Sequence, residues 1–203
     1  MTSQPGATPG LLFVLSAPSG TGKDTVIRRL KEQGVDLRLS VSVTTRAPRP
    51  HEVNGVDYHF ISRDEYNTLL AQDELLEHAE VHGNWYGVPR KPARDWLAAG
   101  EDVLLKIDVQ GAATVRQKVP QAIFIFLAPH SLDELNLRLT ARKSETQAER
   151  ARRLADASHE LEQQVWYDYL VINRQGRLDE AVEQVKAIIT AEHCRVHKRY
   201  AQI

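Results

Sequence analysis

The stretch Leu11-Leu12-Phe13-Val14-Leu15-Ser16-Ala17-Pro18-Ser19-Gly20-Thr21-Gly22-Lys23-Asp24-Thr25 constrains the fold more than any other part of the chain. An apolar run of strand length ends in small, turn-forming residues, after which Val26, Ile27 and Leu30 repeat at helical spacing. Strand, glycine-rich loop and helix in that order are what a phosphate-binding loop requires. Gly20 and Gly22 let the backbone curl until successive N–H groups converge on one anion, Lys23 adds a positive charge, and the helix dipole points the same way. Two positions depart from the usual loop. Ala17 stands where a Gly comes first, and Asp24 stands where a Ser or Thr normally offers a hydroxyl to a magnesium ion. The plain alternative is a strand-to-helix turn with a solvated lysine, and the apolar strand before it argues against that.

Composition narrows the class. With 203 residues, 42% hydrophobic and 26% charged, the chain has enough material for one core with smaller attached lobes. A formal net charge of -1 provides no global field for nucleic acid or an anionic membrane, so neither is expected as a partner and any anion site must be local. The single cysteine, Cys194, excludes an intrachain disulfide framework and suits a reducing compartment, here the cytoplasm. Residues 1–10 lack a basic start and a long apolar core, so they are expected to form a flexible tail rather than a signal peptide. The apolar runs are too short to span a membrane. Among the eight histidines, His193 and His197 with Cys194 come nearest to a metal spacing, and no further ligand accompanies them.

Taken in order, the chain alternates strand and helix at both flanks. Residues 24–33 read as a helix closed near Gly34, and 37–45 alternate as one half-buried strand. Arg46 and Arg49 follow on a proline-stiffened segment. Asn54-Gly55 marks a turn before a short strand, 64–70 a short helix, and 75–81 with 84–88 a strand pair across Gly83. A helix at 92–99 and a strand at 102–108 come next. Asp108-Val109-Gln110-Gly111 then lies at a strand's carboxyl end, where open parallel sheets bind ligands. A strand at 122–127 precedes a capping box of Ser131 and Glu134 that opens a helix to 140. Arg138, Arg142, Arg150, Arg152 and Arg153 crowd a polar stretch expected to be an exposed, mobile arm. A strand at 169–173 and a helix at 178–200 close the chain. The expected architecture is α/β: a three-layer core with a parallel sheet and right-handed crossovers. The core is expected to comprise 11–42, 96–134 and 157–203, with an inserted lobe at 43–95 and a helical lid at 135–156.

Three constellations carry chemistry, each with a plainer counterpart. Arg46 and Arg49 with Tyr58 and Tyr86 suit a monoester phosphate, which guanidinium binds bidentately; the counterpart is two surface arginines in a loop. Glu77 and Asp108 are carboxylates in apolar strands, able to accept from a base that presents N–H groups, as guanine does and adenine does not. Their counterpart is a structural pair capping backbone amides. Lys23 and the arm's arginines would screen charge in phosphoryl transfer, or simply form a solvated face.

Together these blocks resemble the guanylate kinase family. The resemblance is carried by Pro18-Ser19-Gly20-Thr21-Gly22-Lys23, Thr44-Thr45-Arg46-Ala47-Pro48-Arg49, Gly55-Val56-Asp57-Tyr58, Glu77, Trp85-Tyr86-Gly87, Ile107-Asp108-Val109-Gln110-Gly111, the arm arginines and Val171-Ile172-Asn173. It implies transfer of a phosphoryl group from ATP to GMP or dGMP, with Mg2+ accompanying the ATP, and a core, a GMP lobe and a lid. ATP would lie on Ala17, Pro18, Ser19, Gly20, Thr21, Gly22, Lys23, Asp24 and Thr25, with Arg138 and Asn173 also on that side. GMP would meet Ser42, Arg46, Arg49, Tyr58, Glu77, Tyr86, Val88 and Asp108, and Lys23, Arg142 and Arg153 would act on the transferring group.

Several positions depart from the family's pattern. Arg174 replaces an acidic residue, Val88 replaces a Ser or Thr facing guanine O6, and Lys106 replaces an acidic residue on the strand that faces the metal. Asp24 and Lys106 together suggest that a carboxylate has moved across the site, so the two side chains are expected within about 4 Å of each other. Two other readings stay open. One is a related sugar-phosphate kinase, of the ribose bisphosphate phosphokinase kind. The other is a non-catalytic guanylate-kinase-like interaction domain, against which the retained Lys23 speaks. The oligomeric state is not legible.

Overall fold

The structure is a computed structural model that describes residues 8–50, 52–81, 83–140 and 147–203; the side chains of 147–151 are not described. In chain order it comprises β1 (Leu12–Ser16), α1 (Lys23–Glu32), β2 (Arg38–Ser40), β3 (Val43–Thr44), β4 (His59–Phe60), α2 (Arg63–Ala71), β5 (Leu75–Val81) and β6 (Asn84–Pro89). Then follow α3 (Arg90–Ala98), β7 (Val103–Lys106), α4 (Val109–Lys118), β8 (Ile123–Pro129), α5 (Leu132–Thr140), α6 (Gln147–Glu162), a 3-10 turn (Gln163–Trp166), β9 (Tyr169–Asn173) and α7 (Leu178–His193).

A five-stranded sheet ordered β2-β7-β1-β8-β9 is parallel throughout. Successive side chains of a strand point to opposite faces, and β1 uses both. Leu11, Phe13 and Leu15 join Val26, Leu30, Val182 and Val185, from α1 and α7. Leu12 and Val14 join Ala93, Leu97, Ala112 and Val115, from α3 and α4. Helices therefore cover both faces, and the expected three-layer α/β core is present. Every residue of β1 is buried, and fully burying a Leu, Val or Phe contributes about 1.5–3 kcal/mol. Such a strand holds the loop that follows it on a fixed base. From β1 the chain crosses to β2 on one side, and from β7 it crosses to β8 on the other. The crevice at the carboxyl ends of β1 and β7 is thus a topological switch point.

A second sheet, ordered β4-β3-β6-β5, carries its own small cluster of Val43, Tyr66 and Leu75 with Trp85. Helix α2 closes this cluster, and its Ser62–Glu65 capping box fixes its start. The alternation over 37–45 predicts one strand, yet the structure splits it: β2 joins the parallel sheet and β3 the second one. Period-2 patterning sets which side chains share a face but does not name the partner strand, and the split at Val41-Ser42 is where one sheet hands over to the other. The expected boundary at 95/96 falls inside α3, which packs as one piece against β2 and β7. The closing helix ends at His193 rather than near residue 200. The polar stretch after residue 146 is not a loose arm but helix α6, whose Leu154 and Ala157 pack on Leu135 and Leu139. Arg142 lies outside the described residues. Among them, no helix is long and apolar enough to cross a membrane.

Candidate active site

The loop after β1 turns on two glycines. Gly20 and Gly22 have φ of 89° and 97°, the left-handed region that side chains resist. Space is short as well: a Cβ at Gly22 would lie 2.7 Å from Asn173 Nδ2. Two side chains grip the loop at one point. Asn173 Nδ2 donates to the Thr21 carbonyl at 2.7 Å and Arg138 donates to the same oxygen at 2.8 Å. Arg138 also donates to the Asn173 carbonyl at 2.6 Å and pairs with Glu134. Asn173 is only 5% exposed, so its amide supports the loop from beneath.

Lys23 opens α1, and its Nζ donates to the Ile107 carbonyl at 2.6 Å. That bond brings the loop to within one residue of Asp108. Burial pulls the Lys23 pKa down, against the charges of Asp108 and Asp24. Asp24, one residue on, is 81% exposed, and its Oδ1 accepts from Lys106 Nζ at 2.9 Å. The expected contact is present. Burial pushes Lys106 down, but Asp24 and Tyr58 outweigh it and its pKa is raised. The same ammonium lies 5.4 Å from the centroid of the Tyr58 ring.

Across the crevice, Arg46 leaves the end of β3 and forms a forked ion pair with Glu52, at 2.8 and 2.9 Å. Its Nε donates to the Tyr86 hydroxyl at 3.3 Å, and its guanidinium lies 5.6 Å from the Tyr58 ring centroid. Tyr58 and Tyr86 meet edge to face at 5.8 Å. The Arg46 bond holds Glu52 well below the usual carboxylate range, and Glu52 raises Arg46 in turn. Arg49 is exposed and reaches this group through its backbone N–H, which donates to the same Glu52 carboxylate at 2.7 Å. The structure therefore brings Arg46, Tyr58 and Tyr86 together and adds Glu52, which sequence reasoning missed. A carboxylate six residues after an arginine carries no signal until the proline-stiffened turn folds back on itself.

Glu77, on β5, is 4% exposed. Burial and then the charge of Asp108 push its pKa up to about 8. Asp108 is the N-cap of α4, its Oδ1 accepting from the Gly111 N–H at 2.8 Å. A Cβ at Gly111 would lie 2.8 Å from Glu77 Oε2, so the glycine is what lets α4 begin against that carboxylate. Ser42 is 8% exposed. Val88 pairs with Glu77 in the strand register, but it is fully buried with Leu76, Ala93 and Ile107. Packing explains Val88 where a polar contact does not. Glu160 of α6 also borders the loop. Burial and Asp108 raise it to about 7, against Lys23 and the Ser19 backbone N–H. Nothing in its local pattern singles it out.

Arg153 is half-buried on α6. Among the described residues, no group of three His, Cys, Asp or Glu side chains could hold a metal. His193 contacts Asp102 at 2.6 Å, and Cys194 is exposed. A divalent cation arriving with a nucleotide would take most of its ligands from phosphates and water, which is the usual habit of Mg2+. Asp24 supplies a suitable hard oxygen beside the loop, so the residues fit a cation carried in with its nucleotide.

Comparison with known proteins agrees with this geometry. The sequence model of one family, described as guanylate kinase, matches residues 10–192. A guanylate kinase of Desulfitobacterium hafniense is 46% identical over 190 residues, covering 94% of each chain. One from Halalkalibacterium halodurans is 45% identical and covers 96% of each. A solved guanylate kinase structure from Anaplasma phagocytophilum superposes with a TM-score of 0.76 at 34% identity, covering 96% of this chain and 90% of that one. A parallel sheet ending in a glycine-rich loop, an arginine and two tyrosines gathered beside a second sheet, and this likeness over nearly the whole length place the chain in the guanylate kinase family.

Proposed function

We infer that this guanylate kinase transfers the terminal phosphoryl group of ATP to GMP or dGMP, with the donor on the loop after β1 and the acceptor between the two sheets. The observation that carries this division is the bond from Lys23 to the Ile107 carbonyl, which sets the donor loop beside Asp108 and so beside Glu77. Backbone N–H groups from Ser19 to Thr25 would cradle the donor phosphates, Lys23 would reach the outer ones, and Arg138 and Asn173 would hold the loop in shape. Arg46, Arg49, Tyr58 and Tyr86 would take the acceptor phosphate. Glu77 and Asp108, with Ser42, would accept from or donate to the guanine edge, while Val88 packs beneath it.

Phosphoryl transfer depends mainly on position and charge. The two carboxylates orient the acceptor, and Arg46 fixes its phosphate within reach of the donor. Arg142 and Arg153 would close over the transferring group and keep water from it. Mg2+ bound to ATP would shield charge on the phosphate oxygens, with Asp24 as the protein carboxylate placed to hold it. A cytoplasmic location is consistent with this chemistry and with the lone exposed cysteine.

A panel assay of ATP with GMP, dGMP, AMP, UMP and ribose bisphosphate tests the reading. A site built to hydrogen-bond a group rejects analogues lacking it by roughly 10⁴ or more, so GMP and dGMP should be the substrates. AMP turnover within tenfold of GMP would overturn the guanine assignment, and a preference for the sugar phosphate would overturn the nucleotide.

A further inference from the structure

We propose that Lys106 is a cation shared between the two phosphate sites. Paired with Asp24 in the structure, it is drawn across the Tyr58 ring by an arriving acceptor phosphate. This rests on the reading of Arg46, Tyr58 and Tyr86 as the acceptor-phosphate site.

Position comes first. Lys106 is the last residue of β7 and is registered against Leu15 of β1, so its side chain leaves the sheet beside the phosphate loop. Its Nζ is 2.9 Å from Asp24 Oδ1 and 5.4 Å from the Tyr58 ring centroid. The Arg46 guanidinium lies 5.6 Å from that same centroid. Two cations thus flank one aromatic ring, one from each sheet.

Burial and charge give the direction of exchange. The Lys106 side chain is 18% exposed, so packing confines its stem, whereas Asp24 is 81% exposed. An ion pair with one partner in water is worth at most about 1 kcal/mol, so giving it up costs little. A phosphate dianion attracts an ammonium about twice as strongly as a carboxylate at the same distance and dielectric. Lysine suits the task because its ammonium is a compact charge with three donors on a flexible stem.

Calorimetric titration of GMP in metal-free buffer tests the exchange without any turnover. Lys106→Met should weaken GMP by about tenfold or more, the scale of one charge-assisted hydrogen bond. Asp24→Asn should tighten GMP severalfold by removing the competing anion, and that gain should vanish in the double variant, since groups in contact are not additive. Equal tightening in the Lys106→Met background would mean plain charge repulsion and overturn the exchange. Arg46→Ala separates the two layers of the argument. If it abolishes GMP binding while both Lys106→Met and Asp24→Asn stay within twofold of the parent, the shared cation is wrong and the acceptor site stands. If Arg46→Ala also leaves binding unchanged, the acceptor site itself is misplaced. Should Lys106→Met fail to fold, the exposed Asp24→Asn decides alone, with unchanged or weaker GMP binding counting against the exchange.

Discussion

The donor loop and the acceptor cluster hold their charges by different means. Around the loop, polar side chains are committed to backbone atoms: Lys23 to the Ile107 carbonyl, Asn173 and Arg138 to that of Thr21. Across the crevice the main partners are side chains, Arg46 pairing with Glu52 and Tyr86 besides its bond to the Ala47 carbonyl, and at the edge of the loop Lys106 pairs with Asp24. The Ile107 carbonyl directly follows β7, and the Thr21 carbonyl is held by Asn173 and Arg138 together, so the loop is preorganised. Carboxylate partners can be outbid by a phosphate. On the proposed assignment, the donor side is built for fixed geometry and the acceptor side for exchange, which would suit the admission and release of a nucleotide.

Lys23→Ala should separate the two sides most sharply. The rate is expected to fall by roughly 10²–10³, as when one preorganised charge-stabilising donor is removed, with the GMP dissociation constant held within twofold. Equal loss of GMP affinity would show that the lysine serves both sites and erase the contrast.

Glu77→Gln is the matching cut on the acceptor side. Above pH 8, where most of the Glu77 carboxyl is ionised, replacing the charged acceptor with an amide should weaken GMP by roughly ten- to a hundredfold, the worth of hydrogen bonds to a charged group, while ATP binding stays put. Titrations of both ligands against the variant decide it.

Gly22→Ala should act on the donor side alone. Positive φ costs a side chain about 1–3 kcal/mol, and the new methyl would meet Asn173 Nδ2 at 2.7 Å. ATP affinity should fall about tenfold and the melting temperature should drop, with GMP affinity unchanged. A loop that binds ATP normally after this change would not be held as rigidly as its contacts suggest.

The smallest effect is one of pH. With Glu77 raised to about 8, the carboxyl holds a proton at neutrality, yet guanine N–H groups require the ionised form. GMP should therefore bind about fivefold more weakly at pH 7 than at pH 8, by linkage to one proton. The same shift bears on folding. Because the folded pKa lies above the usual 4.5, the folded chain keeps a proton that the unfolded chain has released. The associated stability is full below about pH 4.5 and is lost as pH rises through about 8. Both slopes should flatten in Glu77→Gln; slopes that persist would belong to Glu160, raised to about 7.

Much of the site could be read from residue types in order. The strand, glycine loop and helix at 11–33, the arginines on a stiffened turn, and the Asp-Val-Gln-Gly segment are local statements, fixed by spacing and by what glycine and proline permit. What could not be read depends on partners. Glu52 and Glu160 have no pattern of their own, and only folding brings Glu52 to Arg46 and Glu160 to the Ser19 backbone. Alternation over 37–45 was the same for one strand or for two strands in different sheets. The polar stretch around α6 looked solvated because its apolar contacts, Leu154 and Ala157, are only two, and their partners Leu135 and Leu139 lie on another helix.

Sequence by itself determined the strand, glycine loop and helix at 11–33, the parallel α/β core and the residue types at each candidate position, because each follows from backbone geometry and side-chain period. Tertiary structure decided which carboxylate faces which cation, that Val88 is core, and that Asn173 holds the loop from below. The reason is range. Periodicity and turn chemistry act over a few residues, whereas burial and ion pairing are settled by chain segments that lie far apart until the sheets assemble.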